Sequence, residues 1–196
     1  MYLICVPIKF NEIMRVLFAA IVLLFFASCT EKKQSVEKIE YSVQKGLSDF
    51  KACRSVNKKT DCQDITAKAL CGHFEITDFV HLNEKGESYF TAVHQIAAEL
   101  EKHEKWVRIG TCEDRAVMEK ALKHVDAGVP AVGLSRGEGT RHVAILLKGE
   151  ANSGKWGGRV PVCASYFQNN PKGSFIDKGM NYAWSDPSKV EIWVRL

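Results

Sequence analysis

Halfway along this chain the spacing of apolar residues changes from steps of three and four to runs and alternation, and that change restricts the fold more than any other feature. In the first half, Ile39, Val43, Leu47 and Phe50 keep helical spacing and predict an amphipathic helix over 36–52. Thr60 is followed three residues later by Gln63, the pattern of a capping box, and Ile65, Ala67, Ala69 and Leu70 continue as a short helix with Cys62 in its first turn. Phe90, Val93, Ile96, Ala97 and Leu100 predict a helix over 89–102, and Val117, Met118, Leu122 and Val125 another over 113–126, stopped by Gly128 and Pro130. Between these two helices, 106–110 reads as a brief strand or bend. Strands are expected at 129–134, 142–148, 160–167 and 190–196, joined by Gly-rich connections. Helices first and strands later, without regular alternation, imply an α+β fold in which a helical cap packs on an antiparallel sheet.

The 196 residues suffice for one domain with its own core, and 46% hydrophobic against 26% charged is globular rather than disordered composition. The 27 basic and 23 acidic residues are interspersed and leave a formal charge of only +4. A nucleic-acid surface needs clustered basic charge, so nucleic acid is not an expected partner.

The N-terminus points to the cell envelope. An apolar stretch over 16–27 follows Lys9 and Arg15 and ends in Ala27 and Ser28 just before Cys29. That is the plan of a signal peptide, and the stretch falls short of the roughly 20 residues of a membrane span. Met14 could serve as the start, since the signal is complete from there. Phe26-Ala27-Ser28-Cys29 resembles a bacterial lipobox, which implies lipidation of Cys29, a signal over 1–28, a polar tether over 29–35 and a domain over 36–196. The expected location is an outer-membrane or periplasm-facing lipoprotein, held to the membrane by its lipid.

Setting aside Cys5 and Cys29 leaves Cys53, Cys62, Cys71, Cys112 and Cys163. An odd number in an exported domain leaves at least one outside any intramolecular disulfide. None has zinc-knuckle spacing, so neither metal nor cofactor is expected. A cysteine nucleophile needs a stabilised thiolate and a base within reach. Cys62, at the expected start of a helix, meets the first need through the helix dipole, although Asp61 and Asp64 oppose it. His142, opening a strand after the Gly-rich segment 135–140, is the candidate base. Cys112 also sits at an expected helix start and competes with Cys62, and Cys62 could instead pair with Cys53 or Cys71. The remaining histidines, His73, His81, His94, His103 and His124, read as surface residues.

Cys62 before a short helix, then further helices, the strand VPAVGLS, the strand RHVAIL and the strand ending VPVCASYF together resemble papain-like peptidoglycan hydrolases of the NlpC and CHAP type, over roughly 61–167. The resemblance implies a papain-like fold and cleavage of amide bonds in peptidoglycan stem peptides. Cys62 would be the nucleophile, His142 the base, and Ser165, or Gln168 just beyond it, the group that orients the imidazole. The backbone N–H of Cys62 would meet the oxyanion. Arg136 and Arg141 could hold a substrate carboxylate. Trp156 and Trp184, the latter beside Tyr182, would contact substrate on either side of the strands bearing His142 and Ser165. A monomer is expected. The competing expectation is a non-catalytic envelope lipoprotein, an inhibitor or binding protein, with its cysteines paired.

Overall fold

The computed structural model describes residues 39–56, 62–135 and 142–196, all of which lie in one unit, Val36–Leu196. Among them are helices α1 (Val43–Val56), α2 (Ile65–Phe74), α3 (Ile96–Lys102) and α4 (Arg115–Asp126). A two-stranded hairpin pairs β1 (Val80–Leu82) with β2 (Ser88–Phe90). The remaining strands are β3 (Trp106–Thr111), β4 (Ala131–Ser135), β5 (Val143–Ser153), β6 (Gly158–Ser165), β7 (Phe175–Gly179) and β8 (Val190–Arg195). They form one six-stranded sheet in the order β3-β8-β4-β5-β6-β7, antiparallel throughout. The expected α+β class holds.

Local chemistry sets the boundaries. The helix expected over 36–52 starts at Val43, because Ser42 Oγ accepts the backbone N–H of Lys45 and stops it there. The start of α2 is Ile65, so Cys62 lies in a turn ahead of the helix rather than in its first turn, and Asp64 at the N-cap makes no side-chain bond. Asp64 sits in the helical region of backbone space, where its side chain cannot fold back in the usual capping manner. By contrast, α4 has a working cap in Asp114, whose Oδ1 accepts the N–H of Ala116 at 2.8 Å.

The helix expected over 89–102 divides in two. Ser88–Phe90 pairs as strand with Val80–Leu82, because Asn83 Oδ1 accepts the N–H groups of Lys85 and Glu87 and closes a tight turn, with Gly86 at φ 77°. Only Ile96–Lys102 is helical. The strand β7 has no counterpart among the expected elements. Its polar run Asp177-Lys178 and the positive φ of Asp177 break the apolar alternation that marks the other strands.

Alternation along β5 divides the core into two layers. Val143, Ile145 and Leu147 face one way, with Ala164 and Tyr166, onto α1, α2 and α3. Ala144 and Leu146 face the other way, with Cys163 and Val160, onto Val117, Met118, Ala121 and Val125 of α4. The expected cap on one face is thus corrected to helices on both: the apolar stripe of α4 needed a buried surface of its own, and the second face of the sheet supplies it.

The first layer is pinned by Tyr166, whose hydroxyl donates to the Val43 carbonyl at 2.7 Å while its ring stacks on Phe50 at 5.7 Å. Gly46 permits this approach, since a Cβ there would stand 2.7 Å from the Tyr166 hydroxyl oxygen. At the other end of the sheet, the nearly buried Asp78 carboxylate accepts hydrogen bonds from Trp106 Nε1 at 2.8 Å and Arg195 Nε at 2.6 Å. Burial alone would raise its pKa, but Arg195 and Trp106 outweigh that and hold it below the ordinary carboxylate value.

Candidate functional site

The residue before β5 is His142, held against β4 by the N–H of Ser135, which donates to the His142 carbonyl at 3.0 Å. Ser165, at the end of β6, pairs with Ala144 across the ladder. Alternation therefore puts the side chains of His142, Ala144 and Ser165 on one face, the face covered by α4. The imidazole Nε2 lies 2.7 Å from Ser165 Oγ. One ring face stacks on Phe167 at 4.5 Å and 8°, and Trp184 meets the ring edge-on at 5.3 Å. Burial lowers the His142 pKa to about 4, so the imidazole is neutral near pH 7, with a lone pair on one nitrogen.

Trp184 reaches this position because β4 carries a glycine beneath it. A Cβ on Gly133 would stand 2.9 Å from Trp184 Cη2 and 3.1 Å from Cζ3. Phe167, Phe175 and Tyr182 continue the aromatic group outward, with Lys178 Nζ 5.6 Å from the ring centroids of both Phe175 and Tyr182. Tyr182 is 66% exposed. Phe167 and Gly133 were not singled out by the sequence, and the signals were slight: an aromatic two residues after Ser165 on the same strand face, and a small residue in the strand next to that of His142.

The structure does not bring Cys62 to this site as a thiol. Its sulfur is bonded to Cys53, with the two Cα atoms 6.0 Å apart, and the residue is fully buried in the layer of α1 and α2. In this state Cys62 is half of a disulfide, which corrects the expectation of a free nucleophile. The physical reason is the length of α1, which extends past residue 52 to Val56 and so carries Cys53 beside the turn before α2. Gln168, the alternative orienting residue, turns its side chain to the disulfide layer instead, where its Nε2 donates to the Cys62 carbonyl at 3.4 Å. Its neighbour Phe167 stacks on His142, so the segment just after β6 touches both the imidazole and the Cys62 backbone.

The free cysteines Cys71, Cys112 and Cys163 are all buried. Burial pushes the Cys71 and Cys112 thiols up to about 12 and raises that of Cys163 as well. Cys112, the rival nucleophile, shares the α4 layer with Ser165's neighbour Cys163, but it is a neutral thiol whose backbone N–H is occupied by the Val190 carbonyl at 2.8 Å.

The two tryptophans separate. Trp156 lies at the hairpin between β5 and β6, where Ser153 pairs with Gly158, while His142 and Ser165 lie at the opposite end of the same ladder. That distance is on the order of 25 Å at about 3.3 Å per residue, so Trp156 does not flank the His142 site as expected. Arg136, Arg141 and Cys29 lie outside the described residues. Among the described residues, no group of three His, Cys, Asp or Glu side chains is arranged to hold a metal ion, and no helix is long and apolar enough to cross a membrane.

No protein-family model matches the chain, and no curated protein matches it significantly.

Proposed function

We propose that this chain is a lipid-anchored cell-envelope protein that holds peptidoglycan peptides on a papain-like α+β scaffold without cleaving them. The observation that carries this reading is the Cys53–Cys62 disulfide, together with the burial of every free thiol among the described residues. Acyl transfer through cysteine requires a thiolate beside a base. Here the sulfur at the expected position is oxidised, and the imidazole packs against Phe167 and Trp184. The aromatic group at that end, with Lys178 over Phe175 and Tyr182, offers ring faces and one cation to an acidic peptide bearing apolar groups. The envelope location rests on the signal-like segment and Cys29.

A second reading, a cysteine amidase acting on stem peptides, is favoured by one observation: the 2.7 Å contact between His142 and Ser165 is the base-orienting pair that the family resemblance implies. In that reading Cys62 acts only after release from its disulfide, taking the acyl group while His142 carries the proton.

Both readings meet one experiment. The mature chain, oxidised or mildly reduced, is mixed with purified peptidoglycan, sedimented, and the supernatant analysed by mass spectrometry for new peptide termini. Co-sedimentation without fragments is the expected result. Fragments released by the reduced chain, and lost in Cys62→Ala, would replace the binding reading with the amidase. Neither co-sedimentation nor fragments would overturn both.

A further inference from the structure

A row of rings leads from the end of β6 to the surface. His142, Phe167, Phe175 and Tyr182 follow one another with centroid spacings of 4.5, 6.0 and 6.4 Å. Phe175 is 6% exposed, whereas Tyr182 at the outer end is 66% exposed. Tyr182 is turned outward by a single 3-10 turn, Met180–Tyr182, in which Met180 is fully buried and its carbonyl accepts the N–H of Ala183 at 2.9 Å. Lys178, on the edge strand β7, holds its ammonium 5.6 Å from the ring centroids of both Phe175 and Tyr182. Among the described residues no carboxylate pairs with that ammonium, its neighbour Asp177 included. A cation over ring faces at an exposed site is held weakly and remains able to take an anion.

We propose that Lys178 and Tyr182 form a subsite for the free C-terminal carboxylate of a peptide that ends in a small apolar residue. Because Phe175 is covered, the apolar surface beside the ammonium is that of one ring, which suits a methyl group better than a long or branched side chain. The spacing agrees. A carboxylate oxygen lies about 2.8 Å from an ammonium that it accepts from, and an alkyl group lies about 4 Å from the ring that it covers. With the ammonium 5.6 Å from the Tyr182 centroid, a carboxylate with a methyl group on the adjoining carbon makes both contacts at once. An internal acidic side chain carries its carboxylate at the end of a methylene stem and has no such methyl group. This proposal rests on the reading of the chain as a holder of peptidoglycan peptides, and it names the end of the peptide that is held.

The isotope-labelled mature chain is titrated by NMR with acetyl-Lys-D-Ala-D-Ala, with its C-terminal amide, and with an amidated peptide that carries one internal Glu. The free acid is expected to bind about threefold more tightly than either amide, with shifts at Lys178 and Tyr182. In Lys178→Gln that preference should vanish, in Lys178→Arg it should persist, and Tyr182→Ala should weaken all three peptides. Equal binding of acid and amide, equal binding of the internal Glu peptide, or a preference that survives in Lys178→Gln would each overturn the proposal. Co-sedimentation of the same sample with purified peptidoglycan separates the two levels. If the chain sediments with peptidoglycan but treats acid and amide alike, the subsite falls and the binding reading stands; if it binds neither peptidoglycan nor peptide, both fall.

Discussion

His142 Nε2 and Ser165 Oγ stand 2.7 Å apart on the α4 face of the sheet, one just before β5 and the other at the end of β6. Ser165 is fully buried, Phe167 stacks on the imidazole and Trp184 meets it edge-on. The bond joins two adjacent strands through their side chains just where the backbone ladder between them ends.

Truncation of that serine removes the partner of a half-buried ring nitrogen. Ser165→Ala is expected to lower unfolding free energy by about 1–3 kcal/mol, the range for an orphaned buried group. Urea denaturation followed by circular dichroism measures it, and an unchanged midpoint would mean that the imidazole finds water or another partner.

The same burial makes stability depend on pH in one direction. The folded pKa of His142, lowered by burial to about 4, lies below its ordinary value of 6.5, so the unfolded chain binds the proton first. The contribution is fully present above about pH 6.5, falls as the pH drops, and is exhausted near pH 4. A difference of that size amounts to about 3 kcal/mol at most. Denaturation midpoints of the wild type and His142→Gln, compared between those two pH values, should converge as the solution is acidified. Parallel curves would show that the imidazole is solvated well enough to keep its ordinary pKa.

Much of this arrangement was legible in the sequence, and the parts that were not have physical causes. The run from His142 to Leu147 alternates between the two layers and reads correctly as a strand, and Ser165 lies in the expected strand beside it. The class followed from the change in apolar period. The hairpin of β1 and β2 did not, because Phe90 and Val93 fit helical spacing while the Asn83 turn that forces strand pairing is a side-chain effect. The pairing of Cys62 remained one alternative among three, since periodicity alone does not say how far α1 runs. Trp156 and Trp184, both in Gly- or Asn-rich segments, look equivalent in sequence, and only the antiparallel ladder sends them to opposite ends.

Gly133 supports the Trp184 contact by what it lacks. Gly133→Ala would push a methyl group against the indole, so Trp184 or β4 must shift. A loss of about 1–3 kcal/mol is expected from overpacking, with a change in tryptophan fluorescence as the ring moves. Loss of stability with unaltered fluorescence would place the strain in β4 rather than in Trp184.

Asp78 joins the loop after α2 to β8 through Arg195 and to β3 through Trp106. Asp78→Asn keeps the shape but leaves the partly buried Arg195 without its counter-charge. A loss of about 3 kcal/mol or more is expected, as for other broken buried pairs. Because the Asp78 pKa lies below its ordinary value, the stabilisation is present above that value and is lost as pH falls through the lowered one. The variant should therefore lose stability less steeply on strong acidification than the wild type, in denaturation midpoints followed at falling pH.

The disulfide closes a short loop, with a sequence separation of 9 between Cys53 and Cys62. A chain-entropy argument for a loop of this length gives about 2.5–3 kcal/mol of stabilisation, acting mainly on the unfolded chain. The double variant Cys53→Ser, Cys62→Ser is expected to lose that amount while keeping the six-stranded sheet, because the contacts of α1 and α2 with the core run through Phe50, Leu70 and Tyr166 rather than through the bridge. Equilibrium denaturation of the double variant and of the reduced wild type should give similar midpoints. A much larger loss, with collapse of the circular dichroism signal, would show that the bridge holds α1 on the sheet.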